Sequence, residues 1–358
     1  MSTHCFSKLA ILLRDLHGDS AKNRSVVLAT VIQVRGSVPR EVGARMLVWG
    51  DGQIWGTIGG GAGEAKVIRT ALNVLDSGEK QRVQIDLSGA PNREIQGVCG
   101  GWMQVWVERW QGVEAIALAQ EICDRLQSGQ PATLVTPFAA DQSPFLAPFL
   151  AKDEGNGQAI APYSTALSES ALNESAFIET LQPPPALLIV GAGHVGEQLA
   201  KVAALIGFQV MVQDDRPEWA NGDRYPQATR IFAEPIASAL QQLEHHTQLY
   251  AALVTRGYQY DLEALECLLS RSLPCLYLGM IGSEKRVRQV YEAIAQRGAN
   301  PNLLQTIYAP IGLDIGALTP EEIAVSIAAE LILVRRGGTG RSLSTALRQS
   351  RSPNPKPT

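Results

Sequence analysis

The run Leu187-Leu188-Ile189-Val190-Gly191-Ala192-Gly193-His194-Val195-Gly196 constrains this chain more than any other stretch. An apolar strand-like segment meets a GxGxxG turn. Residues 195–206 then carry helical periodicity, and residues 208–213 form a second strand pattern ending at Asp214. Gly191, Gly193 and Gly196 permit a tight turn and a close backbone approach. The helix that follows would present N–H groups and its positive dipole end to a phosphate. Asp214 stands 18 residues after Gly196, where a ribose-binding carboxylate belongs. This is a Rossmann-type unit. The plainer alternative is that the glycines only pack helix on strand. NAD(P) or another nucleotide is the ligand class, left open because Arg216 would favour a 2′-phosphate and Asp214 would oppose it. His194 either donates to a phosphate or is a solvated loop residue.

Strand and helix patterns alternate after this unit. Strands are predicted at 250–254, 275–278 and 306–308, and helices at 262–269, 285–297 and 320–334. The expected fold class is α/β, with a C-terminal Rossmann-like doubly wound parallel sheet and an N-terminal α/β domain. In the N-terminal part, strands are expected at 26–34, 44–49, 53–58, 82–87 and 103–108, with helices at 64–75 and 113–126. Residues 129–182 are punctuated by prolines and read as an edge hairpin with a long loop. Pro183-Pro184-Pro185 is stiff and extended and marks the boundary. The domains are therefore 1–182 and 183–345, with a Pro-rich tail at 346–358 expected to be disordered.

Composition excludes several classes. The net charge of −4 gives no case for a nucleic-acid partner. Five cysteines without a CxxC pair argue against a disulfide framework or a structural zinc site. The apolar run Leu9 to Leu13 ends at Arg14 and Asp15. It is too short for a signal peptide or membrane span, and reads as one face of an opening amphipathic helix. The expectation is a cytoplasmic protein with reduced thiols and no membrane partner.

Three glycine-rich motifs precede Gly112. They are Gly36-Ser37-Val38-Pro39-Arg40, Gly56-Thr57-Ile58-Gly59-Gly60-Gly61-Ala62-Gly63-Glu64 and Gly97-Val98-Cys99-Gly100-Gly101. Glycine lets backbone N–H groups converge on an anion, and Arg40 adds a fork of donors. Arg40 either clamps a phosphate or another anionic group of a ligand, or makes a surface ion pair. Glu64 either caps its helix or faces a ligand. Cys99 either ligates a soft metal or carries sulfur, or else is a buried inert thiol. In the second half, Arg256 and Lys285 follow strand ends, and Gly282-Ser283 resembles a second phosphate-cradling turn. Asp314 orients a ligand or caps a turn. Trp102, Trp106 and Trp110 recur every four residues, which fits one face of a strand.

Together these motifs resemble the XdhC/CoxI family. The resemblance also rests on Asp214 to Pro217, Thr255-Arg256-Gly257, Tyr277 to Ser283 and Pro310 to Gly316. It spans about residues 27–333. It implies an accessory factor that binds molybdenum cofactor (molybdopterin), supports its sulfuration with a cysteine desulfurase, and inserts it into an apo molybdenum hydroxylase of the xanthine dehydrogenase type. It implies no turnover reaction. Two departures stand out: Ala62 sits where many CoxI-like members carry cysteine, and Tyr258 where the family often has histidine. The alternative is an NAD(P)-dependent oxidoreductase with Tyr258, Lys285 and His194 as candidate groups, although no established catalytic spacing joins them. A homodimer is left open.

Overall fold

The computed structural model describes residues 2–16, 24–87, 100–147, 171–172, 174–298 and 300–344. These residues form two compact units that meet in the chain at Pro184 and Pro185. The expected tail and residues 148–170 lie outside the described residues, as does Cys99.

The first unit runs α1 (Ser2–Asp15), β1 (Ser25–Arg35), β2 (Arg45–Trp49), β3 (Gln53–Gly56), α2 (Gly61–Ser77), β4 (Gln81–Asp86), β5 (Trp102–Gln111) and α3 (Gly112–Gln127). It continues with β6 (Ala132–Pro137), β7 (Phe145–Leu146), β8 (Ala171–Leu172) and β9 (Ala176–Leu181). One antiparallel sheet has the order β3-β2-β1-β5-β4, and a second has the order β7-β6-β9-β8. β1 is buried on both faces, so it reads as a continuous apolar run rather than an alternation. Val26 and Leu28 pack with Phe6, Leu9, Ile122 and Leu126, from α1 and α3. Val27, Ala29 and Val31 pack on the other side with Val67, Ala71 and Val74 of α2.

In β5, Trp106, Glu108 and Trp110 share one face. Both indole N–H groups donate to the Glu108 carboxylate, at 3.2 and 3.1 Å. Burial pushes this carboxyl up, and the two indoles and Lys80 oppose that shift. Trp106 and Trp110 are thus core residues around a buried acid, while Trp102, at the start of β5, is half-buried.

The second unit runs β10 (Ala186–Val190), α4 (His194–Leu205), β11 (Gln209–Gln213), β12 (Ala228–Phe232), α5 (Ile236–Gln241), β13 (Leu249–Leu253) and α6 (Tyr258–Leu269). It ends with β14 (Tyr277–Met280), α7 (Glu284–Gln296), α8 (Pro301–Leu304) and α9 (Pro320–Arg336). The sheet is parallel throughout, with the order β12-β11-β10-β13-β14. Leu187 and Ile189 face the core shared with α4 and α9. Leu188 and Val190 face the core shared with α5, α6 and α7. This is the doubly wound sheet that the alternating pattern predicts. The strand expected at 306–308 is reduced to a single parallel bridge from Tyr308 to Gly279. Residues 301–304 form the short helix α8, which leaves little extended chain before the Ala309-Pro310 turn.

His246 is buried, and neither ring nitrogen has a hydrogen-bond partner among the described residues. Burial, then the charges of Arg271 and Arg230, push its imidazole down from 6.5 to about 4. The ring is held neutral in the fold and charges more readily when unfolded. Its stabilising effect is therefore complete above pH 6.5 and lost as the pH falls towards 4, by roughly 3 kcal/mol in all. Thermal unfolding between pH 7 and pH 4.5 should show a steeper loss in the native chain than in His246→Leu. Equal slopes would contradict this assignment.

Candidate functional site

The chain leaves β10 towards β11 and β12, then returns to β13 on the other side of β10. The switch point therefore lies between β10 and β13, and ligands of open parallel sheets bind at the carboxyl ends of the strands there. A cavity of about 330 Å³ occupies this place. Gly191, Gly193 and His194 line it from the turn after β10, and Thr255 and Arg256 from the loop after β13. Ile281 and Gly282 from the loop after β14 and Arg286 from the first turn of α7 close it, with Asp214 and Arg216 beyond β11. A smaller neighbour of about 150 Å³ shares Asp214 and Arg256 and is lined by Pro235, Ile236 and Tyr260.

Gly191 has a φ of 109°, and a Cβ there would lie 2.7 Å from the Val254 carbonyl oxygen. This glycine lets β10 and β13 approach at the switch point. α4 begins at His194 without a side-chain cap, so its first N–H groups are left for the cavity. His194 is exposed, with its ring edge-on to Trp219 at 6.0 Å.

Asp214 is buried, and its carboxylate is heavily bound. Arg216 grips it through Nε at 2.8 Å and Nη2 at 2.9 Å, and the Ala192 N–H donates at 2.8 Å. Burial alone pushes this carboxyl up, but the Arg216 side chain and the two backbone N–H groups of Ala192 and Arg216 win and hold it at about 2. Arg256 pairs with Asp215 through Nη1 at 3.0 Å and Nη2 at 3.1 Å, and lies 3.8 Å from the Tyr260 ring centroid.

Arg286 donates to Asp261 at 2.5 Å and to the Thr255 hydroxyl at 3.1 Å. That hydroxyl donates to Asp261 at 2.6 Å. Asp261 is fully buried, and burial pushes its carboxyl up against the pull of Thr255 and Arg286.

At α7 the residue that lines the cavity is not the one singled out by its sequence position. Lys285 is exposed and does not line the cavity; its neighbour Arg286 does. Ser283 caps α7 by accepting from the Arg286 N–H at 3.3 Å; it is exposed and does not line the cavity. Gly282 does line the cavity. Asp314 is exposed and does not line it. Asp261 and Arg286 escaped the sequence reading. The available signal was Asp261 itself, a carboxylate four residues before Leu265 and seven before Leu268 on the apolar face of α6.

In the first unit the glycine motifs converge. A Cβ on Gly101 would lie 2.5 Å from the carbonyl oxygens of both Arg35 and Ser37, and one on Gly59 would collide with the Pro39 ring. Gly59, Gly60 and Gly61 are exposed and all have positive φ. Glu64 neither caps its own helix from outside nor stands free. Its Oε2 accepts from the Thr57 hydroxyl at 2.5 Å, the Ile58 N–H at 3.1 Å and the Gly60 N–H at 3.2 Å, which closes the loop onto the start of α2. Arg40 is half-buried and has no ion pair among the described residues. No group of three His, Cys, Asp or Glu among the described residues could hold a metal ion, and no described helix is long and apolar enough to cross a membrane.

Comparison with known proteins places both halves in one family. Residues 187–331 match the XdhC Rossmann domain, and residues 20–86 match the XdhC and CoxI family. The chain is 31% identical over 320 residues to a probable xanthine dehydrogenase subunit of Bacillus subtilis, covering 87% of this chain and 93% of that protein. It is 23% identical over 312 residues to the molybdenum cofactor insertion chaperone PaoD of Escherichia coli, covering 87% and 84%. A crystal structure of a xanthine dehydrogenase from Bacillus halodurans is similar with a TM-score of 0.68 at 26% identity, covering 97% of this chain and 99% of that one. The arginine-lined cavity thus lies within the matched Rossmann domain, the Glu64 loop lies within the other matched stretch, and the chain belongs to the XdhC and CoxI family.

Proposed function

We propose that this chain is an accessory protein that binds molybdenum cofactor as cargo and inserts it into an apo molybdenum hydroxylase of the xanthine dehydrogenase type. The observation that carries this reading is the cavity over the GxGxxG turn, lined by Arg216, Arg256 and Arg286. Its chemistry suits the phosphate end of the cofactor: guanidinium forks and the amino end of α4 all donate. The similarity to a protein named a molybdenum cofactor insertion chaperone supports the same cargo. In the first unit, taken by itself, Cys99, Arg40 and the Gly59–Gly61 loop stay candidates for holding cargo. Support for sulfuration by a partner cysteine desulfurase, a homodimeric state and a cytoplasmic location belong to this proposal as well.

The test is reconstitution. Added to cofactor-free hydroxylase with a cofactor source, the protein should raise the activated fraction of that enzyme. A folded sample that leaves activation unchanged would overturn the reading. The NAD(P)-dependent oxidoreductase alternative draws on the same Rossmann turn, and nicotinamide-dependent turnover would be its mark.

A further inference from the structure

Asp214 stands where a Rossmann unit places the carboxylate that accepts from both hydroxyls of a ribose. Here that capacity is taken. Oδ1 accepts from the Arg216 N–H at 3.2 Å, Arg216 Nε at 2.8 Å and Arg256 Nη1 at 3.4 Å. Oδ2 accepts from the Ala192 N–H at 2.8 Å and Arg216 Nη2 at 2.9 Å. A carboxylate offers about four acceptor positions, so these five donors saturate it. A ribose diol brings two donors and would have to displace a bidentate guanidinium to be received.

What the cavity has left are donors. Arg216 Nη1, Arg256 Nε and Arg286 Nη1 make no hydrogen bond among the described residues, while the other nitrogens of each guanidinium are held. The first N–H groups of α4 have no side-chain cap. Each arginine has its own carboxylate, in Asp214, Asp215 and Asp261, so the cluster is balanced in charge. Selection therefore rests on hydrogen-bond polarity and on the positive end of the helix rather than on net charge. A phosphomonoester dianion supplies only acceptor oxygens and matches that polarity; a diol does not.

We propose that this cavity selects a phosphomonoester over a ribose diol beside Arg216, with Asp214 holding Arg216 in position and not touching the ligand. The inference deepens the cofactor-insertion reading and rests on it only for the identity of the ligand as a phosphorylated pterin. Asp214 is then a positioning residue.

The experiment is calorimetry on the full chain with NADP⁺ and NAD⁺, which differ only by a 2′-phosphomonoester. NADP⁺ should bind at least about tenfold tighter, since each charge-assisted hydrogen bond to a guanidinium contributes more than a neutral one. Inorganic phosphate should compete with NADP⁺. Arg216→Lys keeps the charge but loses the fork, and should erase the preference while the thermal unfolding midpoint shows the variant folded. Equal or tighter binding of NAD⁺, no binding of NADP⁺ by the folded native chain, or a preference that survives Arg216→Lys would each overturn the proposal. The native-chain comparison needs no variant to fold. The probes carry neither pterin nor molybdenum, so their failure leaves the accessory reading to its own test.

Discussion

Replacing Arg216 and Arg256 together by glutamine should lower cofactor transfer to an apo-hydroxylase by about 100-fold or more. A hydrogen bond to a charged group contributes about 1.5–3 kcal/mol, and the double variant removes at least one from each side of the phosphate position. The lower end of that range applies, because the two side chains are 28% and 33% exposed and water screens them. Glutamine retains an amide donor towards Asp214 and Asp215, which limits the damage to the fold. Reconstitution assays at matched concentrations measure the effect. Transfer within a few-fold of the native protein would place the phosphate elsewhere.

A second large effect is expected in the first unit. Arg45 of β2 and Glu179 of β9 form an ion pair, each side chain 4% exposed, that joins the two sheets of the first unit. Arg45 also donates to the Gly43 carbonyl at 3.0 Å and lies 5.0 Å from the Phe6 ring centroid. Glu179→Ala leaves the guanidinium buried without its anion, and should destabilise this unit by about 3–5 kcal/mol. The double variant Arg45→Met, Glu179→Leu should recover most of that loss, because the desolvation cost of both charges is removed with them. Tryptophan fluorescence during urea unfolding reads the effect, as five of the six tryptophans lie at or before Trp110. A Glu179→Ala midpoint equal to that of the native chain would contradict it.

The two halves were unequally legible from the sequence. In the second unit, β10, β11, β13 and β14 are buried almost throughout and bounded by turn residues, and the longer helices carry their own period, whereas the half-exposed edge strand β12 and the short α5 gave no such pattern. Residues 187–190, 195–206 and 208–213 could therefore be placed closely. Periodicity gives no contact between elements, however. Asp214 was correctly placed at the end of β11, but that Arg216 folds back onto it two residues later depends on the local turn, which spacing does not encode. At α7 the difficulty is phase. One residue along a helix is about 100° of rotation, so Lys285 and Arg286 point to different sides, and only the Ser283 cap fixes which faces the cavity. In the first unit the glycines of the three motifs were legible as turns. Their convergence comes from sheet order, with β1 paired to both β2 and β5, and that pairing is non-local.

Whether this chain carries molybdenum cofactor is read most directly from the molybdenum and pterin content of the full chain purified from cofactor-producing cells. Stoichiometric amounts of both are expected in the native protein, and a sharp fall in both in the Arg216→Gln, Arg256→Gln variant. A folded native sample free of molybdenum and pterin would contradict it.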